Sequence, residues 1–295
     1  MAESVYIAYG RSIACDLDLG EYLLAGDVAV PDIRLEESSS VHREQLTEHF
    51  PLFTSHQRNL TLQTDRPLAA SQPGQPWCCS VGGVVNFHWH GGQNVIRIER
   101  LEHCTDELLA FWLIHIFLPL YLTLNETYEF IHACAVQVGE VTVLFTAPSH
   151  GGKSTLTDYF LQQGHALVSD DKVATLVEEG QFIAVPSHPN HRPYRRFEDL
   201  GIRVSNFDPR PRPIDAIYAL VGVEEEGEVE IEQVTGHRSF AQLAPSYLFR
   251  FNFMKEKRLR YLAKMVGSVP LYRLNVPWSL ERLGEVHEAI CSHRR

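Results

Sequence analysis

Positive charge is in short supply. The 295 residues carry 26 lysines and arginines against 37 aspartates and glutamates, a formal net charge of -11. A polynucleotide-binding face needs clustered cations to neutralise phosphates, so nucleic acid is not an expected partner. Metal-type cysteine pairs are missing too. Cys15, Cys78, Cys79, Cys104, Cys134 and Cys291 show no C-x-x-C spacing and are too sparse for a small disulfide scaffold. Zinc and disulfide frameworks both lack support, and reduced thiols in a cytoplasm are the expectation. The opening MAESVYIAYGRS has no basic segment running into an apolar one, so no signal peptide is expected. Internal repeats and low-complexity tracts are likewise missing.

One long apolar run is present, LLAFWLIHIFLPLYLTL over 108–124. It falls short of the roughly 20 residues of a membrane span and carries His115 and Pro119 within it. Thr105, Asp106 and Glu107 form a cap and an acidic first turn, so the run reads as a buried helix kinked near Pro119, with no membrane partner. Before it, 1–104 read as a β-rich N-terminal domain: VYIAY, DVAVPDIRLE and a hairpin in which VVNFHWH and VIRIER flank GGQN. After it, 105–295 read as a second domain containing the helix and an α/β core. There HALVSDD reads as a buried strand, KVATLVEEGQFIAVPS as a hairpin and IYALVGVEEEGEVEIEQV as another. Helices are expected in MKEKRLRYLAKMV, stopped by Gly267, and in WSLERLGEVHEAI, with the strand VPLYRLNV between them.

The chemistry concentrates in FTAPSHGGKSTLTDYF. Ala147, Gly152, Lys153 and Ser154 fit the A/G-x-x-x-x-G-K-S/T pattern of a phosphate-binding loop, between an apolar strand and a helix as that pattern requires. The loop Ala147, Pro148, Ser149, His150, Gly151, Gly152 with Lys153, Ser154 and Thr155 is the expected nucleotide cradle. Its glycines let backbone N–H groups approach phosphate, Lys153 reaches the outer phosphates, and the Ser154 hydroxyl suits Mg²⁺. An ordinary glycine turn leaves the joint placement of Lys153 and Ser154 unexplained.

About 17 residues after Lys153 stand Asp170 and Asp171, at the end of a strand facing the same crevice. On their own, paired aspartates commonly just open a turn. Beside a phosphate loop, one suits Mg²⁺ and the other suits accepting a proton from an attacking hydroxyl. We assign Mg²⁺ to Ser154 and Asp171 and the base to Asp170, an assignment the sequence leaves interchangeable. His132, on the preceding strand, can approach this pair or be a satisfied core histidine. In PSHPNHRPYRR, Arg192, Arg195 and Arg196 form either a clamp for phosphate or an acidic acceptor, or a solvated basic loop. His88 and His90 lack a third metal ligand.

The string IHACAVQVGEVTVLFTAPSHGGKSTLTDYFLQQGHALVSDDKVATL resembles the catalytic core of the HPr kinase/phosphorylase family: strand with His, second strand, glycine loop, helix ending in Q-G-H, and strand ending in two aspartates. The spacing from His132 through Lys153 to Asp170 and Asp171 fits without gaps. The match is specific over 130–177 and fainter to 222, where AVPSHPNHRPYR and PRPIDAIYAL resemble shorter relatives, some of which accompany peptide-modification clusters, lasso peptide kinases among them. The resemblance implies a P-loop α/β kinase core related to phosphoenolpyruvate carboxykinase, behind a smaller β-rich N-terminal domain. It also implies ATP and Mg²⁺ as cofactors, a catalytic set of His132, Lys153, Asp170 and Asp171, a serine acceptor on a peptide or small protein, and a homo-oligomer. Ala147 and His150 depart from the family's loop glycines, and the glycine-rich signature used for phosphorolysis is not visible, so HPr and the reverse reaction are not part of the expectation.

The resulting expectation is an ATP- and Mg²⁺-dependent kinase acting on a hydroxyl. Two other readings stay open. A small-molecule kinase of the shikimate or nucleoside type also places an aspartate one helix beyond its loop lysine, although about 140 residues precede the loop here. The other is a regulatory protein that binds nucleotide without transferring phosphate.

Overall fold

The computed structural model describes residues 3–38, 46–55, 57–67, 74–193 and 197–294. Its elements are mixed α/β and divide into two compact units, Met1–Thr127 with Arg195–Leu200, and Tyr128–Tyr194 with Gly201–Arg295.

Among the described residues, the first unit holds β1 (Ser4–Ala8), β2 (Arg11–Cys15), β3 (Leu24–Ala25), β4 (Ile33–Glu37), β5 (Glu48–Ser55), β6 (Arg58–Thr64), β7 (Pro76–Val81), β8 (Val85–His90) and β9 (Val95–Arg100). They form one sheet in the order β3-β1-β2-β4-β9-β8-β7-β6-β5. Only Ile33–Glu37 of the DVAVPDIRLE segment is strand. The expected hairpin across GGQN is present, with β8 antiparallel to β9 and Val85 opposite Arg100. Strand alternation sends Phe87 and Trp89 inward while Asn86, His88 and His90 stay half-buried.

That aromatic face needs a cover, and the apolar run supplies it. Helix α1 (Asp106–Leu124) has the length and hydropathy of a membrane span, yet 89% of its most apolar window is buried inside the protein. Phe117 stacks on Phe87 with centroids 4.1 Å apart and meets Trp89 edge-on. These contacts join α1 to the N-terminal sheet, so the division falls after Thr127 rather than at 104/105. The Thr105 side chain caps α1 by accepting from the Leu108 N–H. Trp112–Phe117 is wound as a π-helix just before Pro119. A widened turn is a recognised way to absorb the N–H that proline lacks.

In the second unit come β10 (Glu129–Ile131), β11 (Ala133–Val138), β12 (Val141–Thr146), α2 (Lys153–Gln162), β13 (Ala166–Ser169), β14 (Val173–Glu178), β15 (Gln181–Val185), β16 (Asn190–His191), β17 (Ile202–Arg203), β18 (Arg212–Pro213), β19 (Ala216–Val223), β20 (Ile231–Val234), α3 (His237–Leu243), α4 (Lys255–Ser268), β21 (Leu271–Pro277) and α5 (Leu283–His293). Among the described residues they build a six-stranded sheet, β13-β11-β12-β19-β21-β20, and a four-stranded sheet, β10-β14-β15-β18. Both faces of the larger sheet are covered, which is why VTVLFT is buried at every position after the first rather than alternating. Val143 and Phe145 pack with Leu156, Phe160, Val286 and Ile290 of α2 and α5, while Leu144 packs on the opposite side with Phe182, Leu262 and Met265.

The expected β14–β15 hairpin is present. The expected pairing of β19 with β20 is not: β21 lies between them, parallel to β19 and antiparallel to β20. Alternation tells which face a side chain takes and is silent on which strand lies alongside. Helix α4 also runs through Gly267 to Ser268, and α5 begins only at Leu283.

Candidate functional site

The loop between β12 and α2 has the backbone its glycines are suited to. His150 (φ 64°) and Gly152 (φ 82°) are both left-handed. For histidine that conformation costs roughly 1–2 kcal/mol, so the position where the sequence departs from glycine is one where glycine would be unstrained. Gly151 is needed for space: a Cβ there would lie 2.7 Å from the Ala147 Cβ and 3.0 Å from the Pro148 carbonyl oxygen. Pro148, Ser149 and His150 are exposed, Ser154 is half-buried and Thr155 is exposed. Gly152 heads α2 and, being a glycine, supplies no side-chain cap to the first amides of the helix.

Lys153, by contrast, is buried. Its Nζ lies 3.0 Å from the Ala147 carbonyl oxygen and 3.0 Å from His132 Nε2. His132 is not within a continuous strand as the sequence implied. It occupies the break between β10 and β11, which belong to different sheets. From there its Nδ1 reaches the Asp171 carbonyl oxygen at 3.1 Å and the Asp171 carboxylate at 3.3 Å. Burial, opposed by Asp171 and reinforced by Lys153 and Lys172, holds the His132 pKa below its ordinary value. A neutral ring satisfies both neighbours: Nε2 accepts from the Lys153 ammonium and Nδ1–H donates to Asp171.

The aspartate pair divides into an inner and an outer carboxylate. β13 runs antiparallel to β11 with Ser169 opposite Ala135, and this register brings Asp170 beside Cys134. Asp170 is 2% exposed and bonded on both oxygens: Cys134 Sγ donates at 3.0 Å to one, and His191 Nδ1 at 3.1 Å and the Arg192 N–H at 2.8 Å reach the other. Burial pushes its pKa up, but the His191 hydrogen bond and charge outweigh that and hold it low. Asp171 is left-handed (φ 61°), and its side chain is 22% exposed. Lys172 Nζ approaches its carboxylate at 3.2 Å. Burial, only partly offset by Asp171, lowers the Lys172 pKa to about 8.

His132, Lys153 and Asp171 are thus in direct contact, with Asp170 immediately behind. Among the described residues, no hydrogen bond or ion pair ties Ser154 or Thr155 to the carboxylates. Arg192 is buried and gives its backbone N–H to Asp170, while Arg195 and Arg196 lie outside the described residues. Cys134 and Lys172 were missed by sequence reasoning. The available signal for Cys134 was its i, i+2 spacing from His132, although His132 itself lies in the break before β11. His188, with its pKa lowered to about 4 by burial, packs nearby with Nδ1 3.3 Å from the Asn190 N–H.

No family model matches this chain, and no curated protein matches it in sequence. Among solved structures it is similar to the Hpr(Ser) kinase/phosphatase from Coxiella burnetii, at 14% identity, over 56% of this chain and 95% of that one, with a TM-score of 0.34. The likeness is distant.

Proposed function

We propose that the second unit binds Mg²⁺-ATP at the glycine loop and transfers the γ-phosphoryl group to a hydroxyl, with a serine of a peptide or small protein as the acceptor class. The observation that carries this reading is the contact chain Lys153–His132–Asp171 beside a loop that has no room for a side chain at Gly151. The donor set suits the ligand: backbone amides and an ammonium for phosphate, and a hydroxyl and a carboxylate for a hard cation. Ser154 and Asp171 would hold Mg²⁺, which supplies charge neutralisation on the phosphates.

Lys153 then stabilises charge on the transferring group, and His132, neutral and fixed between Lys153 and Asp171, positions both. Asp170 has no free oxygen and a lowered pKa, which makes it a poor base as it stands. Its role in this proposal is to position His191 and the Arg192 backbone. Phosphoryl transfer through a loose transition state draws mainly on positioning and charge, so a carboxylate that never touches the acceptor can still matter.

The test is transfer of labelled γ-phosphate to serine-containing peptides. Turnover that requires Mg²⁺, vanishes in Asp171→Asn and only weakens in Asp170→Asn fits the proposal; label appearing only on sugars or metabolites would move it to a small-molecule kinase. One observation favours binding without transfer: the Lys153 ammonium is folded back onto the Ala147 carbonyl. Tight ATP binding with no turnover on any acceptor would establish that second reading.

A further inference from the structure

A second cluster of ligating side chains lies in the same unit, at the far end of α2. The chain leaves α2 through Gly164, and His165 follows at once. Its ring meets two residues of α5, His287 and Cys291, which are four apart and therefore on one face of that helix. His165 Nε2 lies 2.9 Å from His287 Nε2 and 3.9 Å from Cys291 Sγ, and His287 Nε2 lies 3.5 Å from Cys291 Sγ. All three side chains are half-buried.

From these distances we infer that His165, His287 and Cys291 form a zinc site with three protein ligands and a fourth position open to solvent. A tetrahedral zinc with bonds of about 2.0–2.1 Å to nitrogen and about 2.3 Å to sulfur separates its ligand atoms by about 3.3–3.6 Å. The three separations bracket that range, so closing the site takes shifts of a few tenths of an ångström. Two imidazoles and a thiolate also match zinc's borderline softness, whereas the oxygen-rich set at Ser154 and Asp171 does not.

The surroundings prepare the ligands. Phe160 packs against both rings, with centroids 5.1 Å from His165 and 4.8 Å from His287, and so limits their rotation. Cys291 is not half of a disulfide.

Sequence spacing could not reveal this site, because one ligand stands more than a hundred residues from the other two. Its consequence is mechanical: zinc would pin the C-terminal end of α2, the helix that begins at Lys153, to α5. This inference does not depend on nucleotide binding.

The experiment uses the full chain freed of metal by chelation. Zn²⁺ titration should load one equivalent and raise Tm, as any ligand specific to the folded state must. Co²⁺ in its place should give a thiolate-to-cobalt charge-transfer band. Both signals should be lost in Cys291→Ser and weakened at least tenfold in His287→Gln, with circular dichroism reporting an intact fold. Zinc retained at full stoichiometry in the folded Cys291→Ser/His287→Gln variant would overturn the inference. So would wild-type protein whose cobalt spectrum lacks the thiolate band, a result that stands even if a variant fails to fold.

Discussion

Two buried polar clusters, one in each unit, are built differently. In the first, Glu198 is 4% exposed and fully answered: Arg58 reaches it through Nε at 2.6 Å and Nη2 at 3.1 Å, and Trp112 Nε1 donates at 2.6 Å. The result is a closed structural knot beneath an aromatic core. In the second, buried polar groups gather behind the glycine loop and are driven from their ordinary ionisation, Lys172 to about 8 and His188 to about 4. Burial that shifts an ionisable group costs stability, and such shifts concentrate where a protein acts on something else. On the proposed function, scaffolding falls to the first cluster and chemistry to the second.

Substitutions can break or sharpen this contrast. The largest effect is expected from Lys153→Ala, which should reduce phosphoryl transfer by at least about a hundredfold while leaving the thermal transition in place. Kinetics and calorimetric unfolding together would separate the two outcomes.

Next comes pH. Lys172 binds its proton less tightly folded than unfolded, so the unfolded chain holds more protons between about pH 8 and the ordinary lysine pKa, and stability must rise with pH across that window. The gain is up to about 3 kcal/mol, and denaturant titrations of Lys172→Met should lack it. Asp170 gives the same sign in a lower window: its lowered pKa contributes stability at neutral pH that disappears as pH falls through the acid range.

In the first unit, Glu198→Ala should destabilise by about 2 kcal/mol, less than the loss of a fully buried pair because Arg58 is a quarter exposed. Urea denaturation would measure it, and Mg²⁺-ATP affinity should not change. A change in affinity would erase the division of labour. The smallest effect is expected from Gly151→Ala, about 1 kcal/mol of overpacking against Ala147 and Pro148, read as a lower Tm and weaker ATP binding.

Local signals were legible in the sequence and long-range partnerships were not. The strand–loop–helix unit from Val141 to Gln162 follows from an apolar run, glycines and a periodic helix, all short-range features. The Thr105 cap and the β8–β9 hairpin are equally local. What failed depended on tertiary neighbours. α1 joined the unit before it because its aromatic partners lie on β8, and β20 left β19 because β21 inserted between them. At the site, the fold brings His132, Lys153 and Asp171 of the sequence-named residues into contact, but the hydrogen bond that makes Asp170 the inner carboxylate comes from His191, on the two-residue strand β16, which is too short to show a periodic pattern. The His165–His287–Cys291 cluster was invisible because His165 is distant in sequence from the other two.

The central claim is that the glycine loop is a nucleotide cradle. It is tested most directly by calorimetric titration of Mg²⁺-ATP into the wild-type protein and into Lys153→Ala/Asp171→Asn. The account predicts saturable Mg²⁺-dependent binding by the wild type and none by the folded variant. Equal heats from both, or none from either, would contradict it.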